Sequence, residues 1–113
     1  MRVLVCGGRD CDPDKVRGWL DTNDNASWET IIHGGARGAD SSAGEWAQDV
    51  GLKVEIYRPD WGAHGKAAGP KRNQQMLDEG KPDLVIAFPG GRGTDDMVRR
   101  TEKAKIEIIR PII

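Results

Sequence analysis

The sequence predicts an α/β fold: one Rossmann-like, doubly wound domain over residues 1–113, with helices on both faces of a parallel sheet. Short segments of strand length alternate with segments of helical periodicity, an order that produces βαβ units and parallel pairing. Glycine-rich turns follow three of the strand segments, as is typical of ligand-binding α/β sheets. The expected strand order is 3-2-1-4-5, with strands at residues 3–6, 30–32, 53–57, 84–87 and 106–109.

The first strand and the first helix have clear boundaries. Residues 3–6 form a continuous apolar run, which is typical of a parallel strand covered on both faces. Asp12 followed by Pro13 predicts a helix start, because an aspartate caps free N–H groups and proline fits the first helical position. Apolar residues at helical spacing follow, so we expect this helix to pack on the sheet and to end near residues 23–25.

The second helix is expected to lie close to the sheet. Residues 39–50 repeat small and apolar side chains with a 3.6-residue period, and Gly51 marks the C-terminal end. The next strand, at residues 53–57, alternates apolar and polar side chains, which favours an edge position in the sheet.

The segment at residues 58–69 holds more polar, aromatic and basic residues than a connector requires, and loops of this length are often functional. Pro70 predicts the start of the following helix, in which Met76 belongs to the buried face. Asn73 is in phase with Met76, so its amide is expected to face inward, where it needs a hydrogen-bond partner.

The stretch at residues 88–96, Phe-Pro-Gly-Gly-Arg-Gly-Thr-Asp-Asp, joins the fourth strand to the last helix. A strand, a glycine turn and a helix start together place free N–H groups and the positive end of a helix dipole at one point, which attracts phosphate. Thr94 adds a hydroxyl donor and Arg92 adds a cation. The alternative is a turn in which the glycines serve only the backbone geometry.

Three glycine turns are expected to converge on one site. Ligands of doubly wound sheets lie beyond the carboxyl ends of the strands where the strand order reverses, here between the first and fourth strands. The turns at residues 7–10, 33–40 and 88–96 become neighbours there. Their convergence predicts a site for a phosphate-bearing small molecule, although neither a Gly-x-Gly-x-x-Gly fingerprint after the first strand nor a Walker loop occurs.

Four residues near these turns leave alternatives open. Asp40 either favours the dipole of its helix or hydrogen-bonds a ribose. His33, at the end of a strand, is either a structural histidine or a site residue. Arg72 and Asn73 are site candidates whose alternative role is that of a capping or supporting pair.

The composition restricts the function classes. A net charge of −1 provides no general basic field of the kind that drives nucleic-acid binding. Cys6 and Cys11 form neither a zinc ligand set nor a disulfide framework, so we expect no metal and a reducing, cytoplasmic setting. No segment approaches the length of a membrane span, and the N-terminal apolar run is too short for a signal peptide.

Five motifs in order along nearly the whole chain resemble the YspA, or cpYpsA-related, branch of the SLOG superfamily, which is common in bacteria and phages. This resemblance implies a Rossmann-like domain that binds a nucleotide or a nucleotide derivative such as AMP, ADP-ribose or NAD, often as a homodimer or higher homo-oligomer, with no further cofactor. The motifs are Val-Cys-Gly-Gly-Arg-Asp at 5–10, His-Gly-Gly-Ala-Arg-Gly-Ala-Asp at 33–40, Asp-Trp-Gly-Ala-His-Gly at 60–65, Ala-Gly-Pro-Lys-Arg-Asn at 68–73 and Phe-Pro-Gly-Gly-Arg-Gly-Thr at 88–94.

The LOG (Lonely Guy) phosphoribohydrolases of the same superfamily have a similar glycine loop, Pro-Gly-Gly-x-Gly-Thr-x-x-Glu, and Arg72 matches the setting of their essential arginine. The place of their glutamate is taken by Met97, whose thioether can neither stabilise an oxocarbenium ion nor transfer protons. Hydrolysis therefore requires another acid, with Asp96, Asp95 and Asp10 as candidates. Asp96 is one residue earlier and points about 100° away around the helix.

Three functions follow as hypotheses. The first is nucleotide binding for sensing, sequestration or processing. The second is a nucleotide N-glycosidase in which Arg72 and Asp96 are catalytic. The third is single-stranded DNA binding like that of DprA, which the charge and the few stacking aromatics disfavour. In the first hypothesis the ligand-binding residues are Gly7, Gly8, Arg9, Asp10, His33, Gly34, Gly35, Ala36, Arg37, Asp40, Trp61, His64, Arg72, Asn73, Pro89, Gly90, Gly91, Arg92, Gly93, Thr94 and Asp95.

Overall fold

A computed structural model describes all residues, 1–113, and confirms the predicted α/β architecture. Five strands pair in parallel in one sheet whose order is β3-β2-β1-β4-β5, as the element sequence predicts. The strands are β1 (Arg2–Cys6), β2 (Thr30–His33), β3 (Lys53–Ile56), β4 (Leu84–Ala87) and β5 (Glu107–Ile109).

Five α-helices connect these strands, and none of them has the length and apolarity that a membrane crossing requires. They are α1 (Pro13–Asn23), α2 (Ala39–Asp49), α3 (Trp61–His64), α4 (Ala68–Asp78) and α5 (Arg92–Lys103), with a 3₁₀ turn at Gly65–Ala67 between α3 and α4.

The expectation of a loop at residues 58–69 is wrong, because this segment contains the short helix α3 and the 3₁₀ turn. The Asp60 side chain caps α3 by accepting a hydrogen bond from the Ala63 N–H at 3.0 Å. Helix α4 begins at Ala68 rather than at Pro70. Pro70 fits within the first turn because the N–H that proline lacks would have no partner in that helix.

Two apolar layers cover the sheet. On one face, residues of β1, β2 and β4 pack against α1 and α2, with Trp46 as the largest fully buried side chain. On the other face, Leu4 and Ile32 pack against inward residues of α4 and α5, among them Met76 and Met97. The strand side chains alternate between these layers, so helices on both faces follow from the apolar pattern of the strands.

The sheet register brings the three glycine turns together. Cys6 pairs with Ala87, so the turns after β1 and β4 leave the sheet side by side. The Gly8 N–H donates to the Pro89 carbonyl at 2.8 Å, and the Ala39 N–H donates to the Gly8 carbonyl at 3.2 Å. The turn after β1 thus contacts both the turn after β4 and the start of α2.

Candidate functional site

A cavity of about 620 Å³ opens at the carboxyl ends of β1 and β4, and we call it the main cavity. It receives residues from all three glycine turns and from the segment that contains α3 and α4. Its lining residues are Cys6, Gly7, Gly8, Arg9, Ala36, Asp40, Trp61, Lys66, Gly69, Pro70, Arg72, Asn73, Met76, Gly91, Arg92, Gly93, Thr94 and Asp96.

The N-terminus of α5 is open toward the main cavity. Its cap residue, Gly91, offers no side-chain hydrogen bond, and the amides of Arg92, Gly93 and Thr94 donate to no acceptor in the protein. The N-terminus of α1, in contrast, is capped by Asp12, which accepts from the Asp14 N–H at 2.9 Å. Free N–H groups and a positive dipole end form a binding site for an anion such as phosphate.

Thr94 adds a second donor at this helix start. The residue is only 5% exposed, yet its hydroxyl makes no hydrogen bond to any protein group. Every fully buried side-chain nitrogen or oxygen has a hydrogen-bond partner, whereas the Thr94 hydroxyl has none. This hydroxyl is therefore not fully buried, and it reaches the cavity rather than the core. An unpaired hydroxyl at a cavity wall is free to bond to a molecule in the cavity.

Close backbone packing requires glycine at the turn between β4 and α5. A Cβ atom at Gly90 would lie 2.7 Å from the Gly8 nitrogen, closer than real Cβ atoms come to a backbone atom. Gly91 has open space where a Cβ would stand. Gly8, Gly90 and Gly91 form what we call the glycine ridge, a stretch of backbone that carries no side chain.

Asp40 presents one oxygen to the cavity. Its Oδ2 accepts from the Gly34 N–H at 3.0 Å and from the Ala36 N–H at 3.3 Å, which fixes the turn after β2. Its Oδ1 has no protein partner. Every fully buried side-chain nitrogen or oxygen has one, so Oδ1 is not fully buried and lies at the cavity surface. Burial raises the pKa of Asp40 to about 6, against the opposing effects of the two N–H donors and of Arg72.

Arg72 links α4 to the turn after β2. Its Nη1 donates to the Gly34 carbonyl at 2.5 Å and to the Tyr57 carbonyl at 3.4 Å, and its Nε donates to Asn73 Oδ1 at 3.1 Å. The guanidinium therefore holds two loops in place while it also lines the main cavity. These contacts match the supporting role that the sequence left open for Arg72, and they do not occupy its Nη2.

Asn73 faces inward and has the partners that its position requires. Its Nδ2 donates to Asp96 Oδ2 at 2.9 Å and to the Gly93 carbonyl at 3.2 Å. Asp96 also accepts from Arg100 at 2.8 Å and from Arg99 at 3.3 Å. Partial burial acts to raise the pKa of Asp96, but the bonds from Arg100 and Asn73 outweigh it and hold that pKa below its ordinary value.

Met97, which takes the place of the LOG glutamate, does not face the cavity. Met97 is fully buried in the apolar layer under α4 and α5. Asp96, the nearest carboxylate, is held ionised by an amide and two arginines. Of the two carboxylates at the main cavity, only Asp40 has an oxygen without a protein partner.

The rim of the main cavity carries an aromatic ring and an excess of positive charge. Trp61 is 54% exposed and lines the cavity from α3. Asp40 and Asp96 are accompanied by four cationic residues, so the cavity suits an anion. These cations are Arg9, Lys66, Arg72 and Arg92.

His33 lies outside the main cavity. Its Nδ1 accepts from the Gly35 N–H at 3.0 Å, and its ring packs on α2, where a Cβ atom at Gly44 would be 2.6 Å from Nε2. Burial, with Arg58 and Arg72 nearby, lowers the pKa of His33 to about 4, so the ring is neutral. This placement matches the structural alternative for His33.

A second cavity of about 570 Å³ lies beyond the glycine ridge, on the side of α1. It contains three predicted site residues that the main cavity lacks: Asp10, Pro89 and Gly90. Its lining residues are Gly8, Arg9, Asp10, Cys11, Asp12, Lys15, Pro89, Gly90, Gly91 and Ile113. The predicted residues that line neither of these two cavities are His33, Gly34, Gly35, Arg37, His64 and Asp95.

Five residues of the main cavity were not among the predicted site residues, catalytic or ligand-binding. Lys66 and Gly69 belong to the segment at 58–69, whose composition already indicated a function. Cys6 and Met76 have apolar patterns that indicate only the core, and Pro70 indicated only a helix start. Burial raises the pKa of the Cys6 thiol to about 12, so it supplies surface rather than a nucleophile.

Comparison with known proteins identifies the fold and the family. The UDP-GlcNAc 2-epimerase of Methanocaldococcus jannaschii, solved in complex with UDP-GlcNAc and UDP, superposes with a TM-score of 0.54 at 19% identity. This similarity concerns the fold alone: it covers 97% of this chain, and the chain spans 32% of the epimerase.

A protein from Mycobacterium phage D29, the Gene 61 protein, is 45% identical over 119 aligned positions, which cover 96% of this chain and 94% of the phage protein. The family model for YspA, cpYpsA-related SLOG proteins matches residues 1–64, more than half of the chain and two of the three glycine turns. The chain therefore belongs to the YspA, cpYpsA-related SLOG family.

Proposed function

We propose that this protein binds a nucleotide or a nucleotide-derived small molecule in the main cavity. One observation carries the proposal: the free amides of α5 and the unpaired Thr94 hydroxyl face the same cavity as the unpaired Oδ1 of Asp40. The α5 amides and the Thr94 hydroxyl are hydrogen-bond donors, and phosphate oxygens can accept from them. Asp40 Oδ1 is an acceptor, and a sugar hydroxyl can donate to it.

These groups define an orientation for the ligand. The phosphate lies on the first turn of α5, where Arg92 supplements the helix dipole. The sugar points a hydroxyl toward Asp40, and the base lies against the exposed ring of Trp61. This arrangement uses the turns after β2 and β4 and the α3 segment, so a single ligand bridges elements that are distant in sequence.

Two further findings support a nucleotide as the ligand. The SLOG resemblance implies binding of nucleotides or their derivatives, and the family assignment extends that expectation to this chain. The superposed epimerase carries UDP-type ligands on a similar fold, which is consistent with this fold accepting nucleotides. Because Met97 is buried and Asp96 is paired, we propose binding for sensing or sequestration as the principal role.

A thermal-shift screen with AMP, ADP-ribose, NAD and cyclic nucleotides tests the proposal. A ligand at one hundred times its Kd stabilises the folded state by about 2.7 kcal/mol, which raises the Tm measurably. Gly91→Val adds a side chain in open space at the start of α5, so we expect it to abolish the shift while the variant still folds.

Gly18→Val is the matched control, because a Cβ at this exposed helical position also meets no atom, and the position is remote from the main cavity. Arg72→Ala is expected to reduce the shift as well, but it also removes contacts to Gly34 and Tyr57. No shift with any nucleotide contradicts the proposal, and so does an equal loss of the shift in the Gly91 and Gly18 variants.

Hydrolysis of the N-glycosidic bond of the ligand is a second candidate function, and the unpaired Oδ1 of Asp40 is the observation that favours it. In this reaction Asp40 takes a proton from water, the water oxygen bonds to the sugar C1′, and the base leaves with the electrons of the glycosidic bond. The proton held by Asp40 then passes to the departed base, which restores the carboxylate. We expect free base from a nucleoside monophosphate with the wild-type protein and none with Asp40→Asn. No free base at high protein concentration contradicts this second function and leaves nucleotide binding in place.

A further inference from the structure

We propose that Asn73 is a positioning residue, which holds the first turn of α5 at a fixed place relative to Asp40 across the main cavity. This role rests on the proposed function, because it concerns how the phosphate end and the sugar end of a bound nucleotide are kept in register. Asn73 then acts on the ligand through its protein partners and not by a contact of its own.

One continuous chain of hydrogen bonds joins Asp40 to the first turn of α5. Asp40 Oδ2 accepts from the Gly34 N–H at 3.0 Å, and the Gly34 carbonyl accepts from Arg72 Nη1 at 2.5 Å. Arg72 Nε donates to Asn73 Oδ1 at 3.1 Å, and Asn73 Nδ2 donates to the Gly93 carbonyl at 3.2 Å. We call these five residues the Asn73 bridge, and all of them except Gly34 line the main cavity.

The Asn73 amide has no donor left for a ligand. Its Nδ2 carries two hydrogens and has two acceptors, the Gly93 carbonyl and Asp96 Oδ2, the latter at 2.9 Å. The residue is only 5% exposed, and Asp96 is held in turn by Arg100 at 2.8 Å. Asn73 is therefore fixed to α5 at two points, and a change at Asn73 reaches the ligand through α5.

The other end of the bridge is closely packed. A Cβ at Gly34 would collide with the Arg72 guanidinium, so these two residues are in tight contact. The φ angle of Gly34 lies outside the left-handed region, which means that glycine is required there for space and not for backbone conformation. Arg72 also donates to the Tyr57 carbonyl at 3.4 Å. The turn after β2 and the start of α4 consequently keep one separation.

Only a ligand that spans the cavity depends on this separation. A nucleotide contacts both ends of the bridge, and it gains from both contacts only where they lie within about 0.5 Å of the required geometry. Inorganic phosphate contacts only the donors of α5, which the helix itself holds, since the Asp95 N–H donates to the Gly91 carbonyl at 3.0 Å. Loss of Asn73 therefore leaves these donors intact and changes their place relative to Asp40.

Thermal-shift titrations of the full chain with AMP and with inorganic phosphate measure this dependence. Asn73→Leu keeps the side-chain size and removes its hydrogen bonds, so we expect the AMP affinity to fall about tenfold and the phosphate affinity less than about twofold. Gly34→Ala displaces Arg72 at the other end of the bridge and should lower the ratio of AMP affinity to phosphate affinity by a similar factor. The double variant should lose no more than the larger single loss, because both changes interrupt one chain of bonds.

Gln74→Leu is the matched control. Gln74 carries the same amide one residue further along α4, bonds to Arg100 and Asp78, and lines neither cavity, so the affinity ratio should not change. The Tm values without ligand show that each variant folds.

An equal fall of both affinities in Asn73→Leu contradicts the positioning role and leaves the proposed function standing. An unchanged ratio in Gly34→Ala, or losses that add in the double variant, also contradict it, because they mean that Asn73 contacts the ligand directly. AMP that binds no more tightly than inorganic phosphate to the wild-type protein contradicts it as well. Absence of a shift with every nucleotide contradicts the proposed function itself.

Discussion

Two aspartates at the same cavity show how the surroundings of a residue determine its chemistry. Asp96 is surrounded by Arg99, Arg100 and Asn73, so its charge is compensated within the protein. Asp40 is 5% exposed, receives only two backbone N–H donors and keeps one oxygen free. Asp40 is consequently the carboxylate that a ligand or a proton can reach.

The pH dependence of stability checks this description of Asp40. Because burial raises its folded-state pKa from 3.8 to about 6, the stabilisation from Asp40 is present below pH 3.8 and is lost as the pH rises through 6. We expect the Asp40→Asn variant not to show this loss. Between pH 4 and pH 7 its free energy of unfolding should therefore rise, relative to that of the wild-type protein, by about 2–3 kcal/mol. Urea unfolding of both proteins across this range measures the difference.

The lowered pKa of His33 changes the stability with pH in the opposite direction, so His33 supplies the control. Its folded-state pKa of about 4 lies below the ordinary 6.5, so its contribution is present above pH 6.5 and is lost as the pH falls through 4. The two residues therefore offset each other in the wild-type protein, and His33→Gln should expose the Asp40 dependence alone. A stability difference between Asp40→Asn and wild type that does not change with pH would show that Asp40 keeps an ordinary pKa.

Among single residues, Asn73 was the most predictable from the sequence. A polar side chain in phase with the buried positions of α4 must have a partner, and the structure supplies Asp96 and Gly93. The partners themselves were not predictable, because they lie 20 or more positions away and reach Asn73 only through the packing of α4 on α5. The pairing of Asp96 with Arg100, by contrast, is a local i,i+4 contact within α5.

At the scale of elements, the N-termini of α1 and α5 differ in whether a side chain caps their first N–H groups. Helix α1 is capped by its own sequence through Asp12, whereas α5 begins at Gly91 with uncapped amides. A missing cap costs about 1 kcal/mol of stability, and α2 and α4 also lack a side-chain cap. The free N–H groups of α5 are distinguished by opening toward the main cavity, where an anion can reach them. The local sequence already showed this difference, because Asp-Pro and Gly-Gly-Arg-Gly-Thr are distinct helix starts.

Glycine-to-alanine changes in two helices are expected to have opposite effects on the free energy of unfolding. Gly18 is exposed in α1 and a Cβ there meets no atom, so Gly18→Ala should stabilise the protein by about 0.5–1 kcal/mol through helix propensity. A Cβ at Gly44 in α2 would stand 2.6 Å from His33 Nε2, so Gly44→Ala should destabilise it by about 1–3 kcal/mol. Denaturant midpoints of the two variants measure both effects. Equal gains would mean that α2 does not pack closely on His33.

At the scale of the whole molecule, the reversal of strand order places the site. Strands β1 and β4 are neighbours at the centre of the sheet, and their turns leave for opposite helix layers. The cavity between them therefore follows from the strand order, and the glycine turns supply the backbone that lines it. A ligand bound there touches the turns after β1, β2 and β4 together.

This geometry predicts a pattern of hydrogen exchange. With AMP at saturation, we expect amides at residues 91–94 and 34–36 to exchange about tenfold more slowly, because they face the ligand or are fixed by Asp40. Amides of the edge strand β5 should not change, since this strand lies outside the cavity. Uniform slowing over the whole chain, or slowing in β5 alone, would place the ligand elsewhere.

The order of the strands and of the helices other than α3, the sheet order and the position of the glycine turns were all evident in the amino-acid sequence. They depend on periodicity, caps and chain connectivity, which are local properties or follow from general rules of βαβ packing. The helical structure of residues 58–69 was not evident, because the Asp60 cap and the packing of α3 next to α4 outweigh a loop-like composition.

The chemistry of the site depended on the folded chain. Whether Asp40 or Asp96 keeps a free oxygen, whether His33 faces the cavity or α2, and whether two cavities meet at the glycine ridge follow from contacts between residues that are distant in sequence. Burial and hydrogen-bond partners set the charge and reach of each side chain, and both quantities exist only once the helices are packed on the sheet.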